Sequence, residues 1–153
     1  MINKKEFKKA IAEPLRASGF LSRGQTWYLD GQDAIAIINI QKYEYSEMYF
    51  INVAFWLKAL GYMEFPPAHK CHLDFRVESL FPQHRELLIA SCTLTEADED
   101  NVRWLKAFIV DELVPFCREC LQQSQLKIFY KEGRFLEGMV RKEAKTVLSN
   151  GSS

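Results

Sequence analysis

Apolar residues alternate with a second set of residues along Asp33 to Leu57, DAIAIINIQKYEYSEMYFINVAFWL. Ala34, Ala36, Ile38 and Ile40 fall on one face of a strand, with Ile35, Ile37, Asn39 and Gln41 on the other. A second strand sets Tyr49, Ile51, Val53, Phe55 and Leu57 against Phe50, Asn52, Ala54 and Trp56. A period of two in β-branched and aromatic residues predicts two long strands joined by a polar, tyrosine-bearing turn. Both faces are largely apolar, so the hairpin belongs in the middle of a sheet. A turn centred between Tyr45 and Ser46 places Ile38 opposite Val53 and Asn39 opposite Asn52. A slip of one residue would re-pair every position. In this register Asn39, Gln41 and Asn52 form a polar cluster on the face that carries Trp56. Two readings stand: the amides satisfy one another or a covering element, or with Trp56 they line a ligand pocket.

The flanking pattern supplies the other elements. Asn3 followed by Glu6 predicts a capping box. Phe7, Ala10, Ile11 and Leu15 then make one helical stripe, with Pro14 expected to kink or end it. Gly19 stops this helix, and Phe20 folds back on the core. QTWYLD, from Gln25 to Asp30, is a short strand that turns at Gly31 into the hairpin, giving a three-stranded meander. LKALGYMEFPPAHK follows, and its Gly61 and Pro66-Pro67 forbid a long regular element. A loop of this length in a small domain is a natural place for function. CHLDFRV, Cys71 to Val77, reads as a fourth strand closed by Phe81-Pro82. HRELLIASC fits either a short strand or a helical turn. Thr95 is expected to open a helix with Asp98 at its capping-box position. Its stripe runs through Val102, Leu105, Ile109, Leu113, Phe116 and Cys120, with a bend or break near Val114 because of Pro115. A last helical region from Ser124 to about Leu148 is interrupted at Gly133. The expectation is one α+β domain, residues 1–149, with a flexible tail at 150–153. It holds a four- or five-stranded antiparallel sheet with helices mainly on one face.

Composition narrows the classes. With 48% hydrophobic and 13% aromatic residues among 153, the chain can bury one core and is not disordered. Equal numbers of basic and acidic residues, 20 each, argue against a dedicated nucleic-acid binder. No apolar run reaches a membrane span, and lysines interleaved with apolar residues near Met1 do not make a signal peptide. A soluble, cytoplasmic protein with reduced cysteines is expected. The neutral total hides local imbalance. Residues 1–23 carry six basic and two acidic side chains, and residues 96–112 carry six acidic and two basic. The carboxylates of Glu96, Asp98, Glu99 and Asp100 fit a helix N-terminus, where each contributes about 0.3–1 kcal/mol. They also fit a docking surface for a basic partner.

Candidate chemistry is sparse. Cys117 and Cys120 have zinc-type spacing, and His69, Cys71 and His72 offer further donors. Cys120, however, lies on an apolar helical stripe, where a thiol acts as a small hydrophobe, so no metal site and no cofactor is expected. His69, His72 and His84 cluster in sequence without a nucleophile to serve. No phosphate loop, dinucleotide fingerprint or nucleophile elbow is present. The balance leans away from an enzyme.

The order FKKAIAEPLRASGF, TWYLDG, IAIINIQKY and YFINVAFWL resembles the domain-of-unknown-function family 4304. Gly19, Phe20, Gln41, Lys42, Phe50 and Asn52 sit at the matching positions, over roughly the first 57 residues. The resemblance implies a small bacterial α+β protein without an established catalytic set. Families of this kind occur among immunity proteins, which neutralise a toxin by binding it. The leading expectation is therefore a non-catalytic protein that binds a protein partner such as a cognate toxin, with no nucleic acid and no membrane involved. Its contact residues would be Tyr43, Glu44, Tyr45, Glu47 and Tyr49 of the turn, Glu96, Asp98, Glu99 and Asp100, and the Pro66-Pro67 loop. The alternative is a small-ligand binder or enzyme using Asn39, Gln41, Asn52 and Trp56.

Overall fold

Strand follows strand across the sheet in sequence order, so each strand pairs with the one before it. The computed structural model describes residues 1–150. Of the expected tail at 150–153, residues 151–153 lie outside the described residues. The strands are β1 (Leu21–Arg23), β2 (Thr26–Asp30), β3 (Ala34–Lys42), β4 (Tyr49–Leu57), β5 (Leu73–Arg76) and β6 (Met139–Val140), all antiparallel to their neighbours. The helices are α1 (Lys4–Ala17), α2 (Val77–Leu80), α3 (Arg85–Ser91), α4 (Glu99–Phe108), α5 (Val114–Glu119), α6 (Gln123–Lys131) and α7 (Lys142–Ser149). The class is α+β, as expected, but the sheet has six strands instead of four or five. The extra two are the edge strands β1 and β6, of three and two residues. Segments that short carry no readable period.

The β3–β4 register is the one the turn geometry demands, with Ile38 opposite Val53 and Asn39 opposite Asn52. One face of the hairpin carries Ala36, Ile38, Ile51, Val53 and Phe55. It packs in a single core with Phe7, Ile11 and Leu15 of α1, Leu105 and Phe108 of α4, and Phe116 of α5. On the opposite face a smaller apolar group of Ile37, Ala54, Trp56 and Cys71 lies with Met63 and Ala68 of the 58–70 loop. Helices thus cover one face, and a loop covers part of the other.

Local signals explain most boundaries. Asn3 and Glu6 form the reciprocal capping box of α1. The helix runs through Pro14 to Ala17 without ending there. Gly19, at φ 95°, then turns the chain so that Phe20 returns to the core. HRELLIASC resolves as a helical turn, α3. Asp98, not Thr95, is the cap of α4: its side chain accepts from Asn101 N–H at 3.0 Å while Asn101 Oδ1 accepts from Asp98 N–H. The distortion expected from Pro115 takes the form of one wide turn. Residues Ile109–Leu113 are π-helical, Val114 N–H reaches back to Ile109, and Pro115 falls in the first turn of α5. There the wide turn accommodates a residue that has no N–H to give the helix.

Candidate functional site

Two stretches singled out for charge and aromatic content lie far apart in sequence but close in the fold. The turn between β3 and β4 is held by Tyr43 N–H donating to Met48 O at 2.8 Å. Met48 forms an antiparallel bridge with Thr93. On either side, Leu94 N–H donates to Glu47 O at 2.8 Å and Tyr49 N–H to Cys92 O at 2.9 Å. Thr93 leads directly into the segment that caps α4. Glu44, Glu47, Glu96, Asp98, Glu99 and Asp100 therefore occupy one end of the molecule, and all are exposed. Among the ion pairs of the described residues, only Lys42 with Glu47, at 3.6 Å, and Arg103 with Asp100 engage this set. Both pairs are exposed and weakly coupled.

The turn's aromatics extend this surface. Tyr45 is 77% exposed and meets Tyr43 edge-on, with ring centroids 5.5 Å apart. Tyr43 meets Phe50 at 5.7 Å, and the Arg76 guanidinium lies 3.7 Å above the Phe50 ring. Tyr49 does not belong with them. Strand alternation turns it inward, where it packs on Phe7 with its hydroxyl buried and unpaired. It is a core residue and cannot touch a partner.

Arg76 also ends the row of amides. Asn39 Nδ2 donates to Thr26 Oγ1 at 3.0 Å, and Asn52 Nδ2 to Gln41 Oε1 at 3.1 Å and Asn39 Oδ1 at 3.3 Å. Arg76 donates to Asn52 Oδ1 at 3.0 Å and Gln41 Oε1 at 3.2 Å. The amides do satisfy one another, and they also form the wall of a cleft of about 540 Å³ shared with His69, Asp74 and Glu137. The first sequence reading, amides that satisfy one another, is what the structure shows. Asp74 and Arg76 were missed, although LDFR alternates like β3 and β4 and sets both on the amide face. Burial holds the Asp74 carboxyl above the usual range, against the pull of Arg76, His69 and Arg141. Trp56 shares the sheet face but not this cleft. It is buried under the 58–70 loop, where Nε1–H donates to Gly61 O at 3.0 Å.

The remaining candidates are structural. All four cysteines are buried and unpaired. Burial pushes the Cys117 thiol up to about 12 and that of Cys120 well above its ordinary value, so neither is a ready thiolate. Among the described residues no three His, Cys, Asp or Glu side chains gather as a metal site. His84 pairs with Glu112 at 2.9 Å. His72 is buried in the sheet, and His69 stands exposed; the three do not converge. No helix of the described residues is long and apolar enough to cross a membrane.

Comparison with known proteins adds the lineage. The family described as Domain of unknown function (DUF4304) matches residues 11–119, so the resemblance extends past the hairpin through the cap of α4 to the end of α5. The chain belongs to that family. No curated protein and no solved structure matches it.

Proposed function

We propose that this DUF4304 protein is a non-catalytic binding protein of the cytoplasm, an immunity-type inhibitor that neutralises a bacterial toxin domain by occupying a basic surface on it. The observation that carries this reading is the Met48–Thr93 bridge. It joins the tyrosine turn to the acidic segment and makes one carboxylate-rich end with an exposed aromatic at its tip. Clustered charge of one sign accelerates encounter with an oppositely charged partner and rejects like-charged ones. Tyrosine adds rigid contact area. Tagged protein passed through a lysate of its own source should retain one stoichiometric protein at low salt and lose it at high salt. Reversal should be made at Glu44 and Glu96, both exposed. Asp98 is unsuitable because it caps α4. The E44K/E96K protein should fold normally and retain nothing. Retention unaffected by salt and by the reversal contradicts the reading.

A second reading rests on the amide cleft. Among the described residues the Asp74 carboxylate accepts no hydrogen bond, and the Gln41 side-chain amide group donates none. The cleft thus holds an unused acceptor and an unused donor for a small polar ligand. Native mass spectrometry of freshly isolated protein separates the two readings. A bound small molecule that is lost in N52L favours the cleft.

A further inference from the structure

A hollow larger than the amide cleft lies between the 58–70 loop and the outer ends of β1, β2 and β3. We infer that it is a binding site for a flat, neutral, largely apolar small molecule. Its volume is about 800 Å³, within the range of small-ligand sites. Tyr28, Trp56, Tyr62 and Phe65 line it together with Ile35 and Met63, so four planar rings stand among its apolar walls.

The walls are held in place before any ligand arrives. Trp56 is fixed by its bond to Gly61 O at 3.0 Å. Tyr28 donates to Phe65 O at 3.4 Å, and the two rings meet edge-on at 5.3 Å. Phe65 is the one non-glycine residue with positive φ among the described residues, at 52°. An aromatic residue in that region is strained, and such strain persists where the surroundings fix a side chain for use. Here it sets the Phe65 ring between Tyr28 and the Arg23 guanidinium, which lies 4.2 Å from the ring centroid.

Charge decides the ligand class. Lys58 at the rim is already paired with Asp30 at 2.8 Å. Arg23 already occupies a face of Phe65, and Glu64 lines the same hollow. Two cations and two carboxylates surround the site, so their charges cancel and give a charged ligand no net attraction. Leu21 and Tyr62, 57% and 84% exposed, form apolar lips that a bound molecule would cover. Ring stacking and removal of this surface from water supply the affinity.

Nile red, a neutral planar dye, and Nile blue, its cationic relative, test the inference by fluorescence titration of the full chain. Nile red should saturate at one molecule per chain and bind roughly tenfold more tightly than Nile blue, about 1.4 kcal/mol. The L21E/Y62A variant alters only the exposed lips and should keep the wild-type melting temperature. It should bind Nile red at least roughly tenfold more weakly. Absence of saturable binding, equal affinity for the two dyes, or undiminished binding by a folded L21E/Y62A protein would each overturn it.

Discussion

His72 stitches the sheet together where β4 meets β5, and its replacement by phenylalanine should separate its hydrogen bond from its packing. The ring is buried and tilted against Trp56, with centroids 4.3 Å apart. Its Nδ1 accepts the Leu57 N–H at 2.9 Å, its own N–H donates to Phe55 O, and its carbonyl accepts from Arg141 N–H. An accepting Nδ1 places the proton of the neutral ring on Nε2. His72→Phe preserves an aromatic ring against Trp56 but leaves the N–H of the fully buried Leu57 without an acceptor. A stranded buried donor costs about 1–3 kcal/mol. In a domain of this size that lowers the melting temperature by roughly 2–4 °C per kcal/mol. The pH dependence follows from the same bond. Burial, then Arg141, lowers the His72 pKa, against the opposing effect of Glu143. Protonation would set two N–H groups against each other. The unfolded chain therefore binds more protons between the folded and unfolded values. The stabilisation is full above the unfolded value of about 6.5 and is lost as pH falls through that window. Urea unfolding followed by circular dichroism, at about pH 8 and about pH 5.5, should show a gap between wild type and H72F that narrows in acid. Equal stabilities at the higher pH, or a gap that widens in acid, would refute the reasoning.

Three further outcomes follow from particular contacts. Asp74→Asn should raise stability at neutral pH. The folded carboxyl is held above its ordinary value chiefly by burial, so its ionised form opposes folding above that range and the advantage fades in acid; a variant less stable than wild type at neutral pH, by urea titration, contradicts this. Gly138→Ala should destabilise by about 1–3 kcal/mol, because a Cβ there would lie 2.0 Å from the Phe75 ring; an unchanged denaturation midpoint shows that the ring yields freely. Asp98→Ala should lower stability by about 0.5–2 kcal/mol through loss of the α4 cap, whereas Thr95→Ala, read in the same melts, should cost less.

The hairpin was legible because its strands are long enough to show a period and its turn admits one register that buries both apolar sets. The capping box at Asn3 was equally plain. The edge strands β1 and β6 escaped because pairing, not pattern, makes them strands. Asp98 was misplaced by three positions because Thr95 and Asp98 both belong to the residue types that cap helices, and only the backbone decides between them. Tyr49 was grouped with the turn by proximity although its parity with Ile51 and Val53 already assigned it to the core. The nearness of Glu44 to Glu96 was not readable at all. It depends on the Met48–Thr93 bridge, a long-range contact with no local signature. The acidic segment serves its helix-cap reading through Asp98, and it leaves Glu96 and Glu99 exposed.

Whether the acidic end carries a partner is tested most directly by placing a photo-crosslinking amino acid at position 44, at position 96, and at the exposed Ile128 of α6 as a control. Irradiation in cells of the native host should join the same single protein to positions 44 and 96, and nothing to position 128. Equal crosslinking from all three positions, or crosslinking from position 128 alone, would contradict the assignment of the acidic end as the binding surface.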